Sequence, residues 1–287
     1  MTGPERFVPG VRVERVNVGE VSLEVARVGA GAPVVLLHGF PEAWLSWRHQ
    51  MRALAAAGRE AIAPNLRGYG GSDKPAGLAA YRMERLVADV VGLARALGGG
   101  PIDLVGHDWG GAIAFEVAAR HPEIVRKRAI LNAPYPRAFR RALLVDAAQR
   151  RRSWYMFFFQ LPIVPERVIM RRDFLRRAMK STAAHPERFE DDALDAIQAV
   201  VQSPGTPRAA LAYYRAAMRW PKVGDRVVPM TTLVVWGEKD HALGTSLLEG
   251  LERHVRHVLV HPIPDASHWV QQDAPEEVSD ALLTFLS

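Results

Sequence analysis

Between an apolar run and a stretch of helical spacing the chain reads Val105-Gly106-His107-Asp108-Trp109-Gly110-Gly111. A strand that turns directly into a helix needs small residues two positions before and two after its apex, because side chains would collide there. The apex residue is then held exposed in strained geometry. Asp108 occupies that apex. The start of the following helix carries partial positive charge, which favours an ionised carboxylate, so Asp108 is placed as an oxygen nucleophile that needs no base to deprotonate it. A glycine-flanked aspartate also fits an ordinary turn, and the motif alone leaves both readings open. The chain has no cysteine, which removes disulfides, thiolate metal sites and cysteine nucleophiles. No His/Asp/Glu set has the helical spacing of a metal site and no phosphate-cradling G-x-x-x-x-G-K occurs, so neither metal nor cofactor is expected.

Such a turn has to be carried by a sheet. Val11 to Val18 and Val21 to Val28 alternate apolar and polar residues about Gly19-Glu20, as a hairpin of half-solvated strands does. From Pro33 the pattern becomes a repeating strand, helix, strand. Strands are predicted at 33–37, 61–63, 102–105 and 128–131, and helices at 44–57, 81–97 and 111–120. This predicts an α/β fold with a mostly parallel sheet and helices on both faces. After Pro134 only helical spacing is found, as at 165–179 and 208–220. Strands return at 227–236 and 258–263, before a terminal helix at 275–286. The expected organisation is a core of 1–134 and 223–287 interrupted by a helical cap of 135–222.

The 287 residues carry a net charge of +6, with 48% hydrophobic and 24% charged residues, too apolar for a disordered chain. Between Pro134 and Lys222 there are 15 Arg and 2 Lys against 8 Asp/Glu, so the basic excess belongs to the cap. No helix-turn-helix, zinc or RNP pattern accompanies it, and it reads as solvated helix faces that steer anions weakly rather than as a nucleic-acid surface. The amino terminus lacks the basic and apolar regions of a secretory signal, and the most apolar stretch, 154–164, is shorter than a spanning helix. The expectation is a cytoplasmic protein with no nucleic-acid or membrane partner; a homodimer is left open. A ratio of 32 Arg to 5 Lys with abundant Ala points to a bacterial genome rich in G and C.

The chain resembles the α/β-hydrolases, and within them the epoxide hydrolases. Six segments in order carry the likeness over nearly the whole chain: His38-Gly39-Phe40-Pro41-Glu42, Ser46-Trp47-Arg48-His49-Gln50, Arg67-Gly68-Tyr69-Gly70, Gly106 to Gly111, Trp236 to Asp240, and Ser267-His268-Trp269. The resemblance implies that Asp108 is the nucleophile, Asp240 the acid and His268 the base. Asp265 and Asp273 are rivals to Asp240, and some relatives place the acid after the preceding strand, where this chain has Asn132. The His38 loop implies an oxyanion site built from the backbone N–H groups of Phe40 and Trp109, with Pro41 cis in relatives.

Aspartate in place of serine at the apex suits displacement at a saturated carbon rather than acyl transfer. An opening epoxide then needs a proton, which neutral phenols supply. Ser153-Trp154-Tyr155 and Ala212-Tyr213-Tyr214-Arg215 resemble the cap segments that point paired tyrosines at the ring oxygen, with Tyr155 and Tyr214 preferred by register and Tyr213 the rival. Phe40, Trp109, Trp154 and Phe158 are expected to wall the substrate pocket. The implied reaction turns a small apolar epoxide and water into a vicinal diol in a detoxifying role. A haloalkane or haloacetate dehalogenase using the same aspartate is the alternative, and a non-catalytic ligand receptor a more distant one.

Overall fold

The computed structural model describes residues 3–221 and 227–287. Eight strands form one sheet: β1 (Arg12–Asn17), β2 (Ser22–Val28), β3 (Pro33–Leu37), β4 (Glu60–Pro64), β5 (Ile102–His107), β6 (Val125–Leu131), β7 (Thr232–Gly237) and β8 (Val258–Ile263), in the order β1-β2-β4-β3-β5-β6-β7-β8. The first hairpin and its junction with β4 are antiparallel, and every later pair is parallel. In β5 and β7 every residue is buried, as strands covered on both faces require.

The helices are α1 (Arg48–Ala56), α2 (Met83–Ala96), α3 (Trp109–Arg120), α4 (Pro136–Val145), α5 (Ala147–Arg152), α6 (Trp154–Phe158), α7 (Val164–Ile169), α8 (Phe174–Lys180), α9 (Asp191–Val201), α10 (Thr206–Arg219), α11 (Val270–Asp273) and α12 (Pro275–Leu286). Seven of them, α4 to α10, lie between β6 and β7, and no strand of the described residues interrupts them. The boundary expected between 222 and 223 lies outside the described residues.

Two differences from the sequence expectation have local causes. The predicted helix at 165–179 is divided into α7 and α8, with turns at Arg171 to Asp173. The strand predicted from Val227 begins at Thr232; Val228 makes only an isolated bridge to Val255, so the apolar run there belongs to the approach and not to the ladder.

Topology locates the site. From β3 the chain passes to β4 on one side and returns to β5 on the other, so β3 and β5 are neighbours whose following loops diverge. Crevices at the carboxyl ends of such strands are where open α/β sheets bind ligands. Here the β3 loop carries His38 to Glu42 and the β5 turn carries Asp108, and the two touch: a Cβ placed on Gly39 would meet the Asp108 side chain.

Helices between β6 and β7 are fastened by polar contacts to the loops after β4 and β7. Tyr213 Oη donates to the Arg67 carbonyl at 2.7 Å, and Gln149 bridges Ala242 O (2.8 Å) and Gly244 N (3.0 Å). Arg67 is itself held by a buried two-pronged pair with Asp89 (2.6 and 2.7 Å), which fixes the carbonyl that Tyr213 meets.

Candidate active site

Asp108 has φ 50° and ψ −117°, a left-handed conformation that a non-glycine residue adopts only when its surroundings enforce it. The surroundings are backbone on both sides. A Cβ on Gly106 would strike the Gly110 carbonyl, and one on Gly110 would strike the Leu37 carbonyl, so only glycine lets strand, turn and helix close this tightly. The turn aims the carboxylate at two amides: Phe40 N–H donates to Oδ1 at 2.9 Å, and the Trp109 N–H bonds it as well. The Phe40–Pro41 bond is cis. Burial raises the Asp108 pKa, opposed by His268, His107 and the two amides.

His268 Nδ1–H donates to Asp240 Oδ2 at 2.7 Å, and its Nε2 lies 3.7 Å from Asp108 Oδ2, too far for a hydrogen bond between them. Burial pulls the imidazolium pKa down, but the Asp240 charge and bond and the Asp108 charge outweigh it and hold His268 at about 9. Asp240 is kept below the ordinary carboxylate range by His268, Asn132 and Leu243 N–H, against burial. Its Oδ1 accepts from Ala242 N–H (2.7 Å) and Leu243 N–H (2.8 Å). Neither rival aspartate reaches the imidazole: Asp273 accepts from Ser267 and from His185 N–H (3.0 Å), while Asp265 sits outside against Lys239 and His185.

Three buried supports have no place among the sequence-derived site residues. Asn132, at φ 36°, donates to Asp240 Oδ2 (2.8 Å) and Gly237 O (3.1 Å) and accepts from Gly237 N–H (2.8 Å), so it holds the acid in place. Beneath the site, His107 donates from Nε2 to the His268 carbonyl (2.8 Å) and meets Glu42 Oε2 at 2.7 Å through Nδ1. Glu42 also accepts from Gln271 (2.9 Å) and Gly39 N–H (3.3 Å), which ties the loop after β3 and helix α11 to one carboxylate. His38 and Glu42 lie inside a motif already singled out, so its full length was the available signal. His38 accepts from Leu66 N–H at 3.0 Å and is lowered to about 4, chiefly by burial, which keeps it neutral.

A cavity of about 270 Å³ lies between core and cap, lined by Asp108, Trp109, Phe139, Tyr155, Met156 and Tyr214, among others. The Tyr155 and Tyr214 rings are 6.0 Å apart at 84°. Both phenols are raised above their ordinary pKa, first by burial and then by the Asp108 charge, so each keeps its proton. Tyr213 also reaches the cavity wall, but its hydroxyl is spent on Arg67.

Of the four residues expected to wall the pocket, Trp109 alone does. Phe40 packs behind Tyr214 (5.4 Å between centroids) and Phe159 (5.3 Å). Trp154 is 63% exposed and, like Phe158, is not part of the cavity wall. The cause is helical direction: Trp154 and Phe158 are four apart on one face of α6, while Tyr155 and Met156 point inward. Among the described residues no group of three His, Cys, Asp or Glu is placed to hold a metal ion.

The chain matches the family model of the alpha/beta hydrolase fold over residues 32–275. It is 38% identical to Epoxide hydrolase 3 of Xenopus tropicalis over 88% of this chain and 71% of that one. With AB hydrolase superfamily protein YfhM of Bacillus subtilis it shares 34% identity over 96% and 98% of the two chains. The crystal structure of Bacillus megaterium epoxide hydrolase in complex with an inhibitor superposes with a TM-score of 0.88 at 30% identity, covering 95% and 99% of the respective chains. The chain belongs to the α/β-hydrolase fold family and, within it, to the epoxide hydrolases.

Proposed function

We propose that this chain hydrolyses apolar epoxides to vicinal diols through a hydroxyalkyl ester on Asp108. The observation that carries the reading is the meeting, in one apolar cavity, of a backbone-held carboxylate with two phenols kept protonated by burial. The names of its relatives support the same substrate class.

Asp108 attacks an epoxide carbon and the C–O bond breaks. The leaving oxygen takes a proton from one of the two phenols, Tyr155 or Tyr214, and a hydrogen bond from the other. Water then attacks the acyl carbon of the ester, and His268 Nε2 removes its proton while Nδ1 stays bonded to Asp240. The Phe40 and Trp109 amides, already on the carboxylate, stabilise the tetrahedral oxyanion. Collapse expels the diol oxygen, which takes the second proton of the attacking water and leaves Asp108 as a carboxylate; the proton on His268 then returns through solvent to the tyrosinate, restoring both residues. Residues 135–222 serve in this reading as the cap that supplies the phenols, inserted into a core of 1–134 and 223–287.

The dehalogenase alternative draws less support. Phe40 offers no side-chain N–H to a halide, and the Trp109 side chain is bonded to Tyr214. A single turnover in ¹⁸O-water tests the mechanism. The isotope is expected in Asp108 and not in the first diol released; label in the diol with an unlabelled Asp108 would sink the covalent route. Assaying a terminal epoxide beside a haloalkane separates the two leaving groups, and halide release without diol would reverse the assignment.

A further inference from the structure

The outer face of the cap is not an ordinary surface. Of the fourteen large hydrophobic side chains that stand exposed among the described residues, eight fall between Leu144 and Met170. Leu144 is 79% exposed, Val145 71%, Trp154 63%, Ile163 60% and Phe157 58%. The path through α5 and α6 shows how they arise. Gln149, Ser153, Met156 and Phe159 turn inward to the core and cavity, while Arg150, Trp154, Phe157 and Leu161 repeat at intervals of four, three and four on the outside. From Trp154 onward the path carries apolar residues on both faces, and the outer one belongs where something other than water covers it.

Ile163 adds an independent sign. It stands at φ 68° and ψ −43°, the apex of a γ-turn closed by Val164 N–H to Pro162 O at 2.7 Å. That backbone is unfavourable for a β-branched residue, and here it presents the side chain to solvent. The backbone there starts α7, with Arg167 N–H donating to the Ile163 carbonyl at 3.0 Å, but the exposed side chain adds nothing to the core.

Charge identifies the cover. Residues 137–172 hold nine arginines, all exposed, and two carboxylates. Asp146 caps α5 through Ala148 N–H (2.8 Å) and Gln149 N–H (3.1 Å), and Glu166 accepts from Arg215 (2.6 Å), so both acids are engaged by the protein. A second copy on this face would set arginines against arginines. Trp154 and Phe157 offer stacking planes, but Leu144, Val145, Ile163 and Val164 beside them are aliphatic and offer none to nucleobases. Aromatic and aliphatic side chains interleaved with arginine fit the interface of an anionic bilayer.

The geometry points to this face of the cap as a peripheral docking surface for anionic lipid membranes. No described helix is long and apolar enough to cross a membrane, and docking of this kind needs none. The sequence expectation of no membrane partner rested on spanning segments alone. The face adjoins the cavity wall: Phe139, Arg140 and Leu143 of α4 line the cavity, and Leu144 and Val145 follow directly on the outside. On the epoxide reading, the site would then draw substrate that has partitioned into lipid.

Co-sedimentation of the full chain with phosphatidylcholine vesicles, with and without phosphatidylglycerol, tests docking without any epoxide, so its failure is separate from a failure of the proposed reaction. Retention is expected on the mixed vesicles only, weakening as salt rises. Arg150→Ser and Arg151→Ser should each weaken it about fivefold, and Phe157→Ser by about tenfold or more. Ile163→Gly should weaken retention while raising the melting temperature, which a purely structural role for Ile163 would not produce. No retention on mixed vesicles, or retention indifferent to these variants, would overturn the proposal. So would a lipid-free dimer abolished by Phe157→Ser, or an oligonucleotide that binds this face in preference to the vesicles.

Discussion

The core half of the site and the cap half are built on opposite principles. In the core, Asp108 is held by two amides and a strained turn, and Asp240 by Asn132, two amides and His268. In the cap, Tyr155 and Tyr214 are placed mainly by ring packing against Phe159, Trp109 and each other. The difference teaches where tolerance lies. A nucleophile must meet its carbon in line, and backbone fixes it; a phenol must only reach an oxygen, and a packed ring suffices.

The largest effect should therefore come from the core. His268→Gln removes the base for the second step and leaves the first intact, so turnover should fall by about 10⁴ or more. Intact-protein mass spectrometry should then find an adduct of substrate mass on Asp108. Turnover near the parent rate would break the division of labour at its strongest point.

The phenols come next. Tyr155→Phe and Tyr214→Phe should each slow ester formation roughly 10–100-fold, and the double variant by up to ~10⁴-fold. Ester hydrolysis, followed by stopped flow, should be nearly unaffected. Tyr213→Phe serves as contrast: it loses the bond to Arg67 O and should show first as a stability loss of about 1 kcal/mol. If Tyr213→Phe suppressed ester formation more than Tyr214→Phe, the second phenol would have been misassigned.

That assignment also shows how much of the site the sequence made legible. The turn at Asp108 is legible because it admits only glycine at fixed offsets, a constraint written locally, while the function of its apex needs the five further matching segments. Asp240 and His268 are reached only through the resemblance of their segments to the epoxide hydrolases. Asn132 could be noticed only as a missing acid; that its amide grips Asp240 depends on β6 and β7 being neighbours, which spacing does not encode. In the cap, Trp154 to Phe159 is apolar at every position, so no periodicity tells inward from outward. Nearness to Tyr155 suggests Trp154 and Phe158 as pocket walls, and nothing in the composition marks Phe139 or Met156. The parallel sheet was legible because buried strands are continuous apolar runs. The start of β7 was not, because the run at Val227 continues the same composition without joining the ladder.

The pH dependence separates the two halves at smaller amplitude. The His268 pKa of about 9 rests partly on the Asp108 charge, which esterification removes, so the imidazole should shed its proton at lower pH in the intermediate. Single-turnover ester hydrolysis should lose rate on the acid side with a midpoint below the His268 pKa of the free enzyme, measured in parallel by NMR. A midpoint no lower than that of the free enzyme would mean that Asp108 does not carry the ester. Stability follows with a defined sign. The folded value lies above the ordinary 6.5, so the His268 contribution is complete below 6.5 and is lost as pH climbs through about 9. The melting profile of His268→Gln should lack that alkaline decline.

The smallest effect on turnover, and a test of whether full polar satisfaction is a rule of the core or of the site alone, lies at Arg128. This β6 side chain is fully buried, with Nη2 on Thr232 Oγ1 (2.8 Å) and the guanidinium 4.2 Å from the Phe115 ring centre. Among the described residues its Nε and Nη1 have no hydrogen-bond partner, and burial draws its pKa down to about 9. A buried cation without a carboxylate opposes folding, and a methionine of similar length keeps the packing without the charge. Arg128→Met should raise stability by about 1–3 kcal/mol in chemical denaturation while the rate of diol formation stays within about twofold. A large fall in rate with no gain in stability would show that the hydrogen-bonded frame around Asp108 extends through β6 to the far side of the sheet, and that the core cannot be divided into a constrained site and a tolerant remainder.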